Sequence, residues 1–207
     1  MDQMVHVVDD DTAVRRSLAM LLRSAGHQVA TYASAEALLE EGETAEGLAA
    51  GCIILDVRMP GMDGLSLMDL LSRRAIHLPV VVVTGHGDIP LAVRAMRAGA
   101  QDFVEKPYAE ERILEAVGTA LASSRQADRQ RLLTVQAQAK VSALSPRERE
   151  VLAALVEGKA NKVIGYDLGI SPRTVEVHRA NLMEKLGVRS LPEAVRIGLA
   201  GGVGRMG

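Results

Sequence analysis

Five residues able to hold a metal ion or move a phosphoryl group fall in order along the first half of the chain. Asp9 and Asp10 follow the apolar run Val5-His6-Val7-Val8, and Asp56 follows Cys52-Ile53-Ile54-Leu55. Thr84 closes Pro79-Val80-Val81-Val82-Val83, and Lys106, with Pro107 after it, comes just beyond Phe103-Val104. Three carboxylates brought together repel one another unless a cation intervenes. Magnesium suits such a site, because it takes oxygen ligands and keeps waters and phosphate oxygens in its shell. A carboxylate can also act as a nucleophile and become an acyl phosphate. A metal and a lysine would then neutralise the transferring group. The central position of Asp56 assigns it the nucleophile's role. Asp9 and Asp10 are expected to hold the metal, Lys106 to bind one phosphate oxygen and Thr84 to donate to another.

The elements that must position these residues alternate strand and helix five times. Short β-branched runs between helical patterns are the signature of buried parallel strands. Strands are expected at 4–8, 28–32, 51–55, 79–84 and 101–104, and helices at 12–25, 34–42, 64–74, 89–98 and 109–122. Ligand sites of such sheets form beyond the carboxyl ends of the strands, where all five residues would meet.

Val8-Asp9-Asp10, Leu55 through Gly64, Val83-Thr84-Gly85-His86-Gly87 and Glu105-Lys106-Pro107-Tyr108 resemble the receiver domain of two-component response regulators over residues 4–122. The resemblance implies a doubly wound α/β fold with five parallel strands in the order 2-1-3-4-5. It implies phosphorylation of Asp56 by a sensor histidine kinase with Mg2+ present. It also implies that Asp10 is the direct acidic ligand, that Asp9 acts partly through water, and that the backbone carbonyl of Arg58 joins the metal's shell. Phe103, the only phenylalanine, falls at the aromatic switch position and would turn inward as Thr84 moves toward the phosphoryl group. Arg58 and His86, each two positions past a signature residue, would flank that group and set its lifetime.

The net charge of −2 hides a division. Residues 1–122 carry 10 Lys and Arg against 18 Asp and Glu, while residues 123–207 carry 14 against 8. A basic half is a candidate for nucleic acid, whose phosphates supply much of the affinity. Between the halves, residues 123–141 are polar, rich in Gln and Ala and free of Gly and Pro, which favours a partly helical linker. The domains are therefore expected at 1–122 and 142–207.

The second half reads as four helices. Ser145-Pro146-Arg147-Glu148 has a capping residue, a proline at the first helical position and a capping-box acid. A short helix over Asn161–Leu168, a turn at Gly169 and a longer helix from Pro172 to Leu186 make a helix-turn-helix, followed by a helix from Pro192 to Ala200. Leu144 through Leu152 and Ser171 through Arg179 resemble the effector domain of the LuxR/FixJ group, and Gly85 through Pro90 points to the FixJ-like subgroup. Val175, Leu182 and Leu186 are expected in the core. Glu176, Val177, Arg179 and Ala180 are expected to face the groove, with Glu176 accepting from a cytosine amino group. Arg173, Thr174, His178, Lys162 and Lys185 are candidate phosphate contacts. The glycine-rich stretch from Gly201 to Gly204 is expected to be disordered.

The whole reads as a cytoplasmic transcription regulator rather than an enzyme. Phosphorylation would promote a homodimer that binds double-stranded DNA, with RNA polymerase a further possible partner and no membrane association. A phosphohydrolase using an aspartyl phosphate would carry a second Asp where Arg58 stands. A dinucleotide-binding oxidoreductase would want a glycine-rich turn where Asp9-Asp10-Asp11-Thr12 stands. A protein-only adaptor would lack the basic reading helix. A helical module that never touches DNA remains the rival for residues 142–200. Cys52 is the single cysteine and lies inside an apolar run, which excludes an intrachain disulfide.

Overall fold

The computed structural model describes residues 3–42, 47–85 and 89–204. The chain forms two compact units, residues 1–127 and 128–207.

In the first unit β1 (Met4–Val8), β2 (Gln28–Tyr32), β3 (Gly51–Leu55), β4 (Val80–Thr84) and β5 (Asp102–Glu105) form one parallel sheet in the order β2-β1-β3-β4-β5. Helices α1 (Thr12–Ser24), α2 (Ala35–Gly42), α3 (Gly64–Arg73), α4 (Ile89–Arg97) and the first part of α5 (Glu110–Ser142) cover it. The strands are buried because helices pack on both faces, and alternate side chains serve different cores. Val5, Val7, Cys52, Ile54, Val81 and Val83 pack with Leu18 and Leu22 of α1 and Ile113 and Val117 of α5. Val8, Ile53, Leu55 and Val82 pack with Leu38 of α2, Leu67 of α3 and Ala95 of α4. Strands β2 and β5 lie at the edges and are more exposed.

Two caps fix the chain beside the strand ends. Asp11 accepts from the N–H groups of Ala13 and Val14 and starts α1 directly after the Asp9-Asp10 pair. Asp63 accepts from Ser66 N–H and starts α3. Gly64 allows α3 to begin against the end of β3: a Cβ there would lie 2.4 Å from the Asp56 carbonyl oxygen.

The second unit contains the end of α5 and helices α6 (Pro146–Val156), α7 (Asn161–Leu168), α8 (Pro172–Leu186) and α9 (Leu191–Ala200). Ser145, Ser171 and Ser190 cap α6, α8 and α9, each with a proline in the first turn. The core gathers Val151, Leu152, Leu155, Ile164, Val175, Leu182, Leu186 and Ala194. Ala137 and Val141 of α5 are also buried, and Lys140 Nζ donates to the Leu186 carbonyl at the end of α8, 2.9 Å away. The last turns of α5 are thus part of this fold, and the segment expected as a linker lies within one helix.

The glycine-rich end is ordered as far as Gly204, contrary to the expectation. Val203 N–H donates to the Gly198 carbonyl at 2.8 Å, and the Val203 side chain packs on the core. Val203, the apolar residue among the glycines, docks the turn together with backbone bonds from Gly201 and Gly202 to Ile197 and Leu199.

Candidate functional site

The carboxyl ends of β1, β3, β4 and β5 bring Asp9, Asp10, Asp56, Thr84 and Lys106 together, because the parallel register places all these ends on one edge. Asp9, Asp56 and Thr84 are buried, and Asp10 is exposed. One oxygen from each of Asp9, Asp10 and Asp56 lies within 4.8 Å of the others. Lys106 Nζ donates to Asp9 Oδ2 at 2.6 Å and to Asp56 Oδ2 at 3.0 Å. Backbone groups complete the carboxylate shells. Asp11 N–H donates to Asp9 Oδ1 at 2.9 Å and Arg58 N–H to Asp56 Oδ1 at 3.2 Å.

Burial pushes the Asp9 carboxyl above the usual carboxylate range, against the opposing pull of Lys106 and the Asp11 N–H. Burial also disfavours the Lys106 ammonium, but its bonds to Asp9 and Asp56 outweigh that and hold its pKa above the ordinary lysine value. Three carboxylates against one ammonium leave two negative charges at the cluster. A divalent cation with a preference for oxygen matches that deficit, so the residues present fit magnesium. Phe103 is half-buried against the core on the α2–α4 face. His86 lies outside the described residues.

In the second unit α7, the turn at Gly169 and α8 form the helix-turn-helix. Gly169 adopts φ 65° at the end of α7. A Cβ on Gly165 would lie 2.8 Å from the Ile170 carbonyl oxygen, so the turn packs directly on α7. Arg173, Glu176, Val177 and Ala180 are exposed along α8, as is Lys162 at the start of α7, while Thr174 and His178 are half-buried.

Two residues expected at DNA also have protein partners. Arg179 shares the helical phase of the buried Val175, Leu182 and Leu186, is itself half-buried, and its Nη1 donates to Asn161 Oδ1 at 2.6 Å. The spacing from Val175 (i, i+4) and to Leu182 (i, i+3) already carried that signal. Lys185 Nζ donates to Glu148 Oε2 at 2.8 Å. Glu148 is buried and also accepts from Ser145 N–H within the capping box. The ammonium and the Ser145 N–H hold the Glu148 carboxyl below its usual range. No sequence signal links positions 37 residues apart.

Comparisons with known proteins agree with both halves. Residues 5–118 match the model of the response regulator receiver domain, and residues 142–197 match that of the bacterial regulatory proteins of the luxR family. The transcriptional regulatory protein FixJ of Azorhizobium caulinodans is 53% identical over 96% of this chain and 93% of its own length. FixJ of Rhizobium meliloti is 47% identical over 98% of each chain. Among solved structures, the response regulator StyR superimposes with a TM-score of 0.80 at 42% identity, covering 95% of this chain and 98% of its own. Full-length FixJ from B. japonicum gives a TM-score of 0.59 at 42% identity, with 97% of each chain covered. The chain therefore belongs to the two-component response regulators of the FixJ type, a receiver domain followed by a LuxR-type DNA-binding domain.

Proposed function

We propose that Asp56 accepts a phosphoryl group from a sensor histidine kinase, and that the phosphorylated chain dimerises through its receiver and binds DNA through α8. The observation that carries this reading is the meeting of Asp9, Asp10, Asp56 and Lys106 at one sheet edge. An Asp56 carboxylate oxygen attacks phosphorus, the phosphorus–nitrogen bond of the phosphohistidine breaks, and the histidine nitrogen keeps the electron pair. The carboxylates of Asp9, Asp10 and Asp56, with the backbone carbonyl of Arg58, would hold Mg2+. When bound, the ion supplies positive charge beside the transferring oxygens. Lys106 already spans Asp9 and Asp56, and its ammonium passes from the carboxylate to a phosphoryl oxygen. Thr84, buried at the end of β4, donates to another oxygen and draws Phe103 inward. Repacking of α4 and β5 then favours self-association, a population shift between two packed states.

At DNA, Glu176, Val177 and Ala180 on the exposed side of α8 read base edges. Lys162, Arg173, Thr174 and His178 contact phosphates. No helix of the described residues is long and apolar enough to cross a membrane. A small-molecule phosphodonor tests the acceptor: intact-mass and peptide analysis should place one phosphoryl group on Asp56 and none on Asp56→Asn. Phosphate elsewhere, with Asp56 unmodified, would overturn the assignment.

A further inference from the structure

Helix α8 has two sides with different chemistry. Arg173, Glu176, Val177 and Ala180 are exposed, whereas Val175, Leu182 and Leu186 are fully buried. Arg179 belongs to the second set by helical phase and is itself half-buried. Its guanidinium runs to Asn161, the first residue of α7, at 2.6 Å. Helices α6, α8 and α9 each start on a serine whose hydroxyl accepts from the first turn. Helix α7 starts on Ala160, whose methyl cannot, so its beginning is fastened sideways to α8 through Asn161.

We propose that Arg179 is not a base reader but a pin. With Asn161 it fixes the angle between α7 and α8 and so presents Glu176, Val177 and Ala180 to the groove. Both are positioning residues, and the inference rests on α8 being the DNA-reading helix. A hydrogen bond from a guanidinium is stronger than a neutral one and geometrically restrictive. A helix pair held in its docking geometry loses less freedom on binding. The two roles have different signatures. A base reader affects preference at one base pair, whereas a pin affects every sequence alike.

The test uses the full chain and a duplex enriched by the wild type from a random-sequence pool in magnesium and beryllofluoride. Affinities are measured for that duplex and for each of its single-base-pair variants, at two salt concentrations. Arg179→Met, which keeps the apolar stem, and Asn161→Ala should each weaken all duplexes by a similar factor, about tenfold. The preference profile should not change, and the double variant should bind no more weakly than either single one. Arg179→Lys, which keeps one donor and guards against misfolding, should recover part of the loss. Relaxed preference at one base pair in Arg179→Met, absent in Asn161→Ala, would overturn the pin while leaving DNA reading intact. So would losses that multiply in the double variant. Enrichment of no duplex would remove the DNA-reading role itself, and the pin with it.

Discussion

Replacing Lys106 with Met tests how the acidic cluster is balanced. The ammonium bridges Asp9 and Asp56 at 2.6 and 3.0 Å, and the Asp9 side chain is only 3% exposed. Two carboxylates separated by up to 4.8 Å repel by about 3 kcal/mol at an effective dielectric constant of about 20. Breaking a buried pair by removing one partner costs about 3–5 kcal/mol. Lys106 is partly exposed, which places the expected loss toward about 3 kcal/mol. For a unit of this size that corresponds to a fall in melting temperature of roughly 10 °C. On the proposed reading magnesium binds the folded cluster and should raise the melting temperature of the variant more than that of the wild type, because it would become the main counter-charge. Thermal denaturation with and without magnesium measures both effects. Equal stability of the two proteins without magnesium, or an equal magnesium-induced rise, would refute this account of the cluster.

Gly64→Ala should destabilise the receiver by about 1–3 kcal/mol and slow phosphorylation of Asp56, since the new Cβ meets the Asp56 carbonyl at 2.4 Å. Urea unfolding and phosphodonor kinetics check the two effects. His6 is buried between the Tyr32 hydroxyl and the Ala49 carbonyl, and burial lowers its pKa below the ordinary value of 6.5. Its folded form binds protons less readily than its unfolded form. Stability is therefore fully present above about pH 6.5 and falls as the pH drops toward the lowered folded value, and His6→Gln should flatten that slope in denaturant titrations. Glu148→Ala removes half of a capping box and the partner of Lys185, and should cost about 2 kcal/mol by urea unfolding. Lys185→Met should leave the salt dependence of DNA binding unchanged if its bond to Glu148 is its role; a shallower slope would identify Lys185 as the phosphate contact expected from the sequence.

The receiver was legible because its chemistry sits where local pattern changes. Asp9, Asp56 and Thr84 each end an apolar run, and those runs became β1, β3 and β4 within a residue of their expected bounds. The same held for Ser145, whose cap depends on a residue only three positions away; Ser171 and Ser190 cap α8 and α9 through bonds of the same short range. What the chain did not disclose depends on tertiary contacts. The partnership of Lys185 with Glu148 and the docking of Val203 require knowing which helices meet. Arg179 is a different case: it was expected to face the groove, although its spacing from Val175 and Leu182 gave its phase. A guanidinium can lie along a buried stripe when its polar tip finds an acceptor, here Asn161 Oδ1.

Solution mass with and without magnesium and beryllofluoride tests the central claim most directly, because the fluoride complex would stand in for a phosphoryl group on the proposed acceptor Asp56. A shift from monomer to dimer in the wild type, absent from Asp56→Asn, is the result this account predicts. A wild type that keeps the same mass under both conditions, or an Asp56→Asn variant that dimerises equally, would contradict it.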